Sequence, residues 1–188
     1  VPAARAMSTG PEGTDAGDAA RIDGMYRAKA RAEIADAESL VPGDDIVRGH
    51  GDELADVLLL KGEPGPADIE AGRALAGRDG EAAESALEAL GVEGARYAAC
   101  SRVGAVGEAE RARRVRLLVE AIDPRLIVAL DPVAAADLAA AFGVDVPAAG
   151  EVVRILGRRV LALDGLEASL GDERLKRRVW KQLKALAG

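Results

Sequence analysis

Thiols, imidazoles and aromatic rings are scarce in this chain of 188 residues, which has one cysteine (Cys100), one histidine (His50) and 2% aromatic side chains. A single cysteine excludes an internal disulfide framework and any iron–sulfur cluster held by several thiolates. One cysteine and one histidine cannot assemble a conventional zinc site, so no metal centre is expected beyond the open alternative of a carboxylate-bound Mg²⁺ or Ca²⁺. No EF-hand spacing is present. No apolar run approaches the ~20 residues of a membrane-spanning helix, and no signal-peptide core is visible. The expectation is a soluble cytoplasmic protein with no membrane partner and no bound cofactor.

Charge is abundant but unevenly spread. The net charge is −7. Residues 1–60 carry 6 basic and 12 acidic side chains, whereas residues 146–188 carry 9 and 5. Phosphate neutralisation dominates nucleic-acid binding, so the overall balance argues against it, while the basic C-terminal part keeps it open. High Ala, Gly, Arg and Asp with little Lys is the composition of a GC-rich, bacterial genome.

The length fits one domain. Residues 1–18 are small, polar and Gly/Pro-containing and read as a flexible leader, leaving residues 19–188 as the folded unit. Helical spacing of Ile22, Met25, Tyr26, Ala30 and Ile34 predicts a helix over Ala19 to Leu40. Pro42-Gly43-Asp44-Asp45 reads as a turn, Ile46 to Arg48 as a short strand and Gly49-His50-Gly51 as a second turn. Short apolar runs predict strands over Ala55–Lys61, Ala95–Cys100 and Arg125–Leu130, with two more over Glu151–Leu156 and Arg159–Leu163 flanking Gly157. Helices are expected over Gly80–Leu90, Glu108–Ile122 and Pro132–Phe142, with a last one from about Asp172. The alternation predicts an α/β fold: a three-layer α/β/α sandwich around a mainly parallel, roughly four-stranded sheet.

The densest signal is Leu58 to Gly80, LLLKGEPGPADIEAGRALAGRDG. An apolar strand runs into a loop punctuated by Gly62, Gly65, Gly72, Gly77 and Gly80, followed by a helix. In α/β proteins ligands bind beyond the carboxyl ends of parallel strands. Pro64-Gly65, six residues and then Gly72-Arg73-Ala74-Leu75-Ala76-Gly77-Arg78-Asp79-Gly80 match in spacing the motif GEAPG, six residues, GRPFVGRAG. Downstream come Asp123-Pro124-Arg125-Leu126-Ile127-Val128-Ala129-Leu130, then Ser169-Leu170, Lys176, Trp180 and Leu183. Over residues 40 to 188 this ordered series resembles the uracil-DNA glycosylase superfamily, closest to its thermostable iron–sulfur branch.

The resemblance implies a pocket that takes a flipped base, grips its face with an aromatic ring and its edge with an amide, and stabilises the departing anion. On the matching positions this chain has other groups. Leu75 stands where the ring belongs. Cys100 stands at the amide of a pattern like YxTN, and a thiol cannot offer paired donor and acceptor. Asp164 stands at the late histidine and would repel a uracil anion. Gly62 falls at the first-motif glutamate, with Glu63 one place later. The cluster cysteines are absent.

The implied pocket comprises Gly62, Glu63, Pro64, Gly65, Gly72, Arg73, Leu75, Cys100, Asp164 and Ser169. The leading expectation is a degenerate, non-catalytic domain that binds nucleic acid, a nucleotide or another protein. Arg174, Lys176 and Arg177 are its candidate nucleic-acid contacts. The first alternative is an active, divergent DNA glycosylase in which Glu63, Asp68 or Asp164 positions water. The second is a phosphate or small-molecule binder, although neither a Gly-Lys-Ser/Thr loop nor GxGxxG is present.

Plainer readings stand beside each residue. Glu63, Asp68 and Glu70 read as surface charge, Arg73 as a phosphate contact or a pin for the loop, and Cys100 as a small buried hydrophobe. His50 reads as a turn residue and Ser169 as a local hydrogen-bonding group. Asp164 could equally cap the turn at Gly165. Trp180 reads as core. Arg111, Arg113, Arg114 and Arg116 read as a basic face of their helix.

Overall fold

A computed structural model describes residues 14–43 and 46–187. Residues 1–13 of the expected leader, and Asp44 and Asp45 of the expected turn, lie outside the described residues. Helix α1 spans Thr14–Glu38, so the helix begins inside the segment read as leader.

The sheet has six strands, in the order β1-β3-β2-β4-β6-β5. These are β1 (His50–Gly51), β2 (Val57–Lys61), β3 (Arg96–Cys100), β4 (Leu126–Ala129), β5 (Val152–Ile155) and β6 (Arg158–Ala162). The four central strands β3, β2, β4 and β6 run parallel. Each edge adds a short antiparallel strand, β1 on β3 and β5 on β6. The expected parallel core is therefore present, inside a wider and mixed sheet. The extra edge at β1 falls on the segment read as a turn, and Ile46–Arg48 forms no strand beyond an isolated bridge from Arg48 to Arg73.

Alternation along the central strands fills two apolar layers, as parallel strands buried on both faces require. Leu58, Leu60, Ala99, Ile127 and Val160 face one layer, closed by α1, α4 (Glu108–Ile122) and α5 (Pro132–Phe142). Val57, Leu59, Cys100, Val128 and Leu161 face the other, closed by α3 (Arg78–Ala89), α6 (Leu166–Ser169) and α7 (Glu173–Leu183). A short helix not expected from the sequence, α2 (Pro66–Ala71), interrupts the glycine-rich loop. No helix among the described residues is long and apolar enough to cross a membrane.

Arg114, read as part of a basic face, is 1% exposed. Its guanidinium donates to Glu38 Oε1 at 2.8 Å and to the Cys100 carbonyl at 2.8 Å. This buried pair ties the end of α1 to α4 and to the carboxyl end of β3. Helical periodicity hides it, because a buried arginine and an exposed one occupy the same sequence pattern.

Candidate functional site

From β2 the chain turns to β3 on one side, and from β4 it proceeds to β6 on the other. The carboxyl ends of β2 and β4 therefore flank a topological switch point, where open α/β sheets form a crevice. A cleft of about 270 Å³ opens there. Its walls come from the end of β2 and the loop after it (Lys61, Glu63), and from the segments after β4 (Leu130 to Val133) and β6 (Asp164 to Ala168), with Asp79 from α3. Five carboxylates line it, Glu63, Asp79, Asp131, Asp164 and Glu167, against the single ammonium of Lys61.

Lys61 organises the floor. It ends the apolar run of β2, is 3% exposed, and each of its three N–H donors has a carboxylate partner. The Nζ contacts are Asp68 at 2.9 Å, Asp79 at 2.6 Å and Glu167 at 2.8 Å. Burial alone would lower the Lys61 pKa, but hydrogen bonds to Asp68, Asp79 and Glu167 outweigh it and raise it above the ordinary lysine value. The ammonium is thus permanently charged and has no donor left for a ligand while Glu167 holds its place.

Asp68 is buried rather than exposed at the surface. Burial would raise its pKa, but the Lys61 ammonium and the Gly65 and Ala76 amides hold it below the usual carboxylate range. Gly65 N–H donates to Oδ2 and Ala76 N–H to Oδ1, each at 2.8 Å. All of these bonds pin the loop on either side of α2. Asp68 does not line the cleft, so it is not placed to position a water there. Only Glu167 in this cluster is substantially exposed.

The start of α5 seals the cleft's side. Asp131 caps the helix by accepting from Ala134 N–H at 2.8 Å, and its second oxygen accepts from Gly62 N–H at 2.8 Å. A Cβ on Gly62 would lie 2.6 Å from both Asp131 Oδ1 and Val133 Cβ. Position 62 therefore has no room for a side chain, and least of all for a glutamate facing Asp131.

The residues singled out from the sequence divide three ways. Glu63 and Asp164 both line the cleft. Glu63 is exposed and lies 3.6 Å from Arg102. Asp164 accepts from Gln182 Nε2 at 2.8 Å, with Arg178 at 3.4 Å, while its own N–H donates to Gln182 Oε1. Gly65 lies beyond the Lys61–Glu167 contact, in a neighbouring hollow with Pro66, Gly77 and Arg78.

Leu75 and Cys100 are sealed in the apolar layer beneath α3 and line no cleft. Leu75 is held at a φ of 51°. Burial pushes the Cys100 thiol up to about 12, which keeps it neutral and unreactive. Ser169 is also buried and donates to the Leu166 carbonyl at 2.6 Å. Gly72 and Arg73 are exposed, and Arg73 lies beside His50, whose Nε2 donates to the Ala74 carbonyl at 2.8 Å.

Arg174, Lys176 and Arg177 are exposed on α7. Trp180, read as core, is 37% exposed at the rim of a separate groove. Lys61, Asp79, Asp131 and Glu167 escaped the sequence reading. One signal was there to find: a lysine directly after Val57-Leu58-Leu59-Leu60 is a charge at the end of a buried strand and demands a partner. Among the described residues no group of three or more His, Cys, Asp or Glu is placed to hold a metal ion. Comparison of the chain with protein-family models and with curated proteins finds no match.

Proposed function

We propose that this chain is a uracil-DNA-glycosylase-like domain that excises no base and serves in the cytoplasm as a binding module, its cleft taking a cationic group of a protein partner. The observation that carries this reading is the occupancy of the chemical positions. Position 62 is blocked by Asp131 and Val133. Leu75 and Cys100 are packed in the core. Asp164 is held by Gln182. A base entering the cleft would meet neither a ring nor an amide, and its leaving anion would face five carboxylates.

Asp79 and Glu167 share the Lys61 ammonium, but the carboxylates outnumber the cations in the lining and so favour ammonium or guanidinium groups over phosphates. Nucleic acid is therefore left to Arg174, Lys176 and Arg177 of α7, which are exposed and do not line the cleft. The active-glycosylase reading retains one favourable observation, that Glu63 and Asp164 face the same space. Incubation of the full chain with uracil-containing single- and double-stranded DNA decides between the two. We expect no uracil release; release that disappears in Glu63→Ala or Asp164→Ala would establish the enzyme instead.

A further inference from the structure

The amino edge of the parallel strands, opposite the cleft, carries a second hollow of about 690 Å³. It lies where the chain enters β2, β4 and β6. Four guanidiniums line it, those of Arg125, Arg154, Arg158 and Arg159, against the two carboxylates of Asp56 and Asp123. The balance of charge is the reverse of that in the cleft. Each carboxylate already has a cation: Arg158 lies 2.6 Å from Asp123, and Arg125 lies 3.5 Å from Asp56. To Arg154 and Arg159 the described residues offer backbone carbonyls alone, of Gly157 at 3.0 Å and of Leu186 at 3.4 Å. Two positive charges are left over.

Those two charges stand side by side. Arg154 of β5 and Arg159 of β6 are register partners in an antiparallel pair. Their side chains therefore leave the same face of the hairpin, with Cβ atoms about 5 Å apart. Like charges directly opposite each other destabilise a ladder. An anion seated between them reverses the sign of that interaction, so the pair costs stability when empty and gains it when filled.

We propose that Arg154 and Arg159 form an anion site that takes the terminal phosphate of a small molecule, a phosphate monoester. Such a group carries about −1.5 to −2 at neutral pH and matches the two spare charges, whereas a carboxylate or a backbone phosphodiester matches one. The planar guanidinium fork also suits bidentate contact with phosphate oxygens. Asp56 and Asp123 share the lining and would repel the further phosphates of an extended polymer, which limits the ligand to a short one. The site is separate from the carboxylate-lined cleft, and the two stand or fall independently.

A chemical-shift titration of the ¹⁵N-labelled full chain with phenyl phosphate, in phosphate-free buffer at constant ionic strength, tests this. The expected result is saturable movement of the amides of residues 154–159. Benzoate, which has the same ring and a single charge, should bind more weakly. Arg154 is exposed, so Arg154→Gln should leave the fold intact and weaken phenyl phosphate by on the order of tenfold. Arg154→Glu should abolish binding and raise the melting temperature in the absence of phosphate, because it turns the cross-strand repulsion into an ion pair with Arg159. Glu63→Ala, at the other edge of the sheet, should change nothing in the titration. The proposal is overturned by a parent chain whose amides do not move, by benzoate binding as tightly as phenyl phosphate, by an Arg154→Gln variant that binds like the parent, or by an Arg154→Glu variant that melts lower. An oligonucleotide without a terminal phosphate that moves the same amides at lower concentration would also overturn it, assigning the pair to a nucleic-acid backbone instead.

Discussion

Lys61 is the residue on which the sheet's carboxyl edge depends. Replacing it with methionine would leave Asp68 and Asp79 buried without their cation, and removing one partner of a buried pair costs roughly 3–5 kcal/mol. The K61M variant should therefore show a large loss of stability in urea at neutral pH. The deficit should shrink as pH falls towards 4, because the orphaned carboxylates can then take up protons. The parent behaves in the opposite sense. Its Asp68 has a depressed pKa, so the stability it contributes is present above the ordinary value of 3.8 and is lost as pH falls through the lower folded-state value. A urea series of both proteins at several pH values separates the two slopes. Cys100 offers a second test at this scale. Its thiol is pushed up to about 12 and fully enclosed, so a thiol reagent should fail to label the native chain near pH 8 and should label it stoichiometrically in denaturant. Ready native labelling would mean that β3 does not end in the core.

At the scale of elements, the chain was most legible where punctuation is strong. α4 and α5 coincide with their expected bounds because Pro124, the pair Asp131-Pro132 and Gly143 mark where helix must start or stop. α2 was missed because Gly65-Pro66 and Gly72 enclose only six residues, too few for periodicity to register. β1, with two residues, is shorter still. The cluster around Lys61 was illegible for a different reason: its partners come from α2, α3 and α6, and only the folded topology brings Glu167 to the end of β2. The hairpin joining β5 to β6 carries a local misfit of its own. Leu156 and Gly157 have φ of 47° and 85°, both in the left-handed region. Asn-Gly suits such a two-residue turn, whereas leucine does not. Leu156→Asn should therefore raise stability by about 0.5–1 kcal/mol, seen as a higher melting temperature; an unchanged or lower value would assign the exposed leucine a contact that offsets its strain.

At the scale of the whole molecule, carboxylates outnumber cations in the cleft lining, whereas α7 is predominantly basic. Any DNA binding should therefore run through few phosphates. If Arg174, Lys176 and Arg177 are the contacts, the plot of log affinity against log salt should have a slope no steeper than about −2.7. Reversing those three charges should abolish binding, while Glu63→Gln should strengthen it slightly by removing a repulsive charge. A steeper slope, or binding indifferent to the triple variant, would point to a different surface. The sheet order carries one more consequence. β2 lies at the centre of the parallel core but is the first of its four strands to be synthesised. On the ribosome Val57 to Leu60 must wait for β3 to pair one backbone edge, and then for the far more distant β4 to pair the other. This nascent stretch is thus the part of the protein with greatest need of a chaperone, and slowing translation between β2 and β4 should prolong the interval in which it can aggregate.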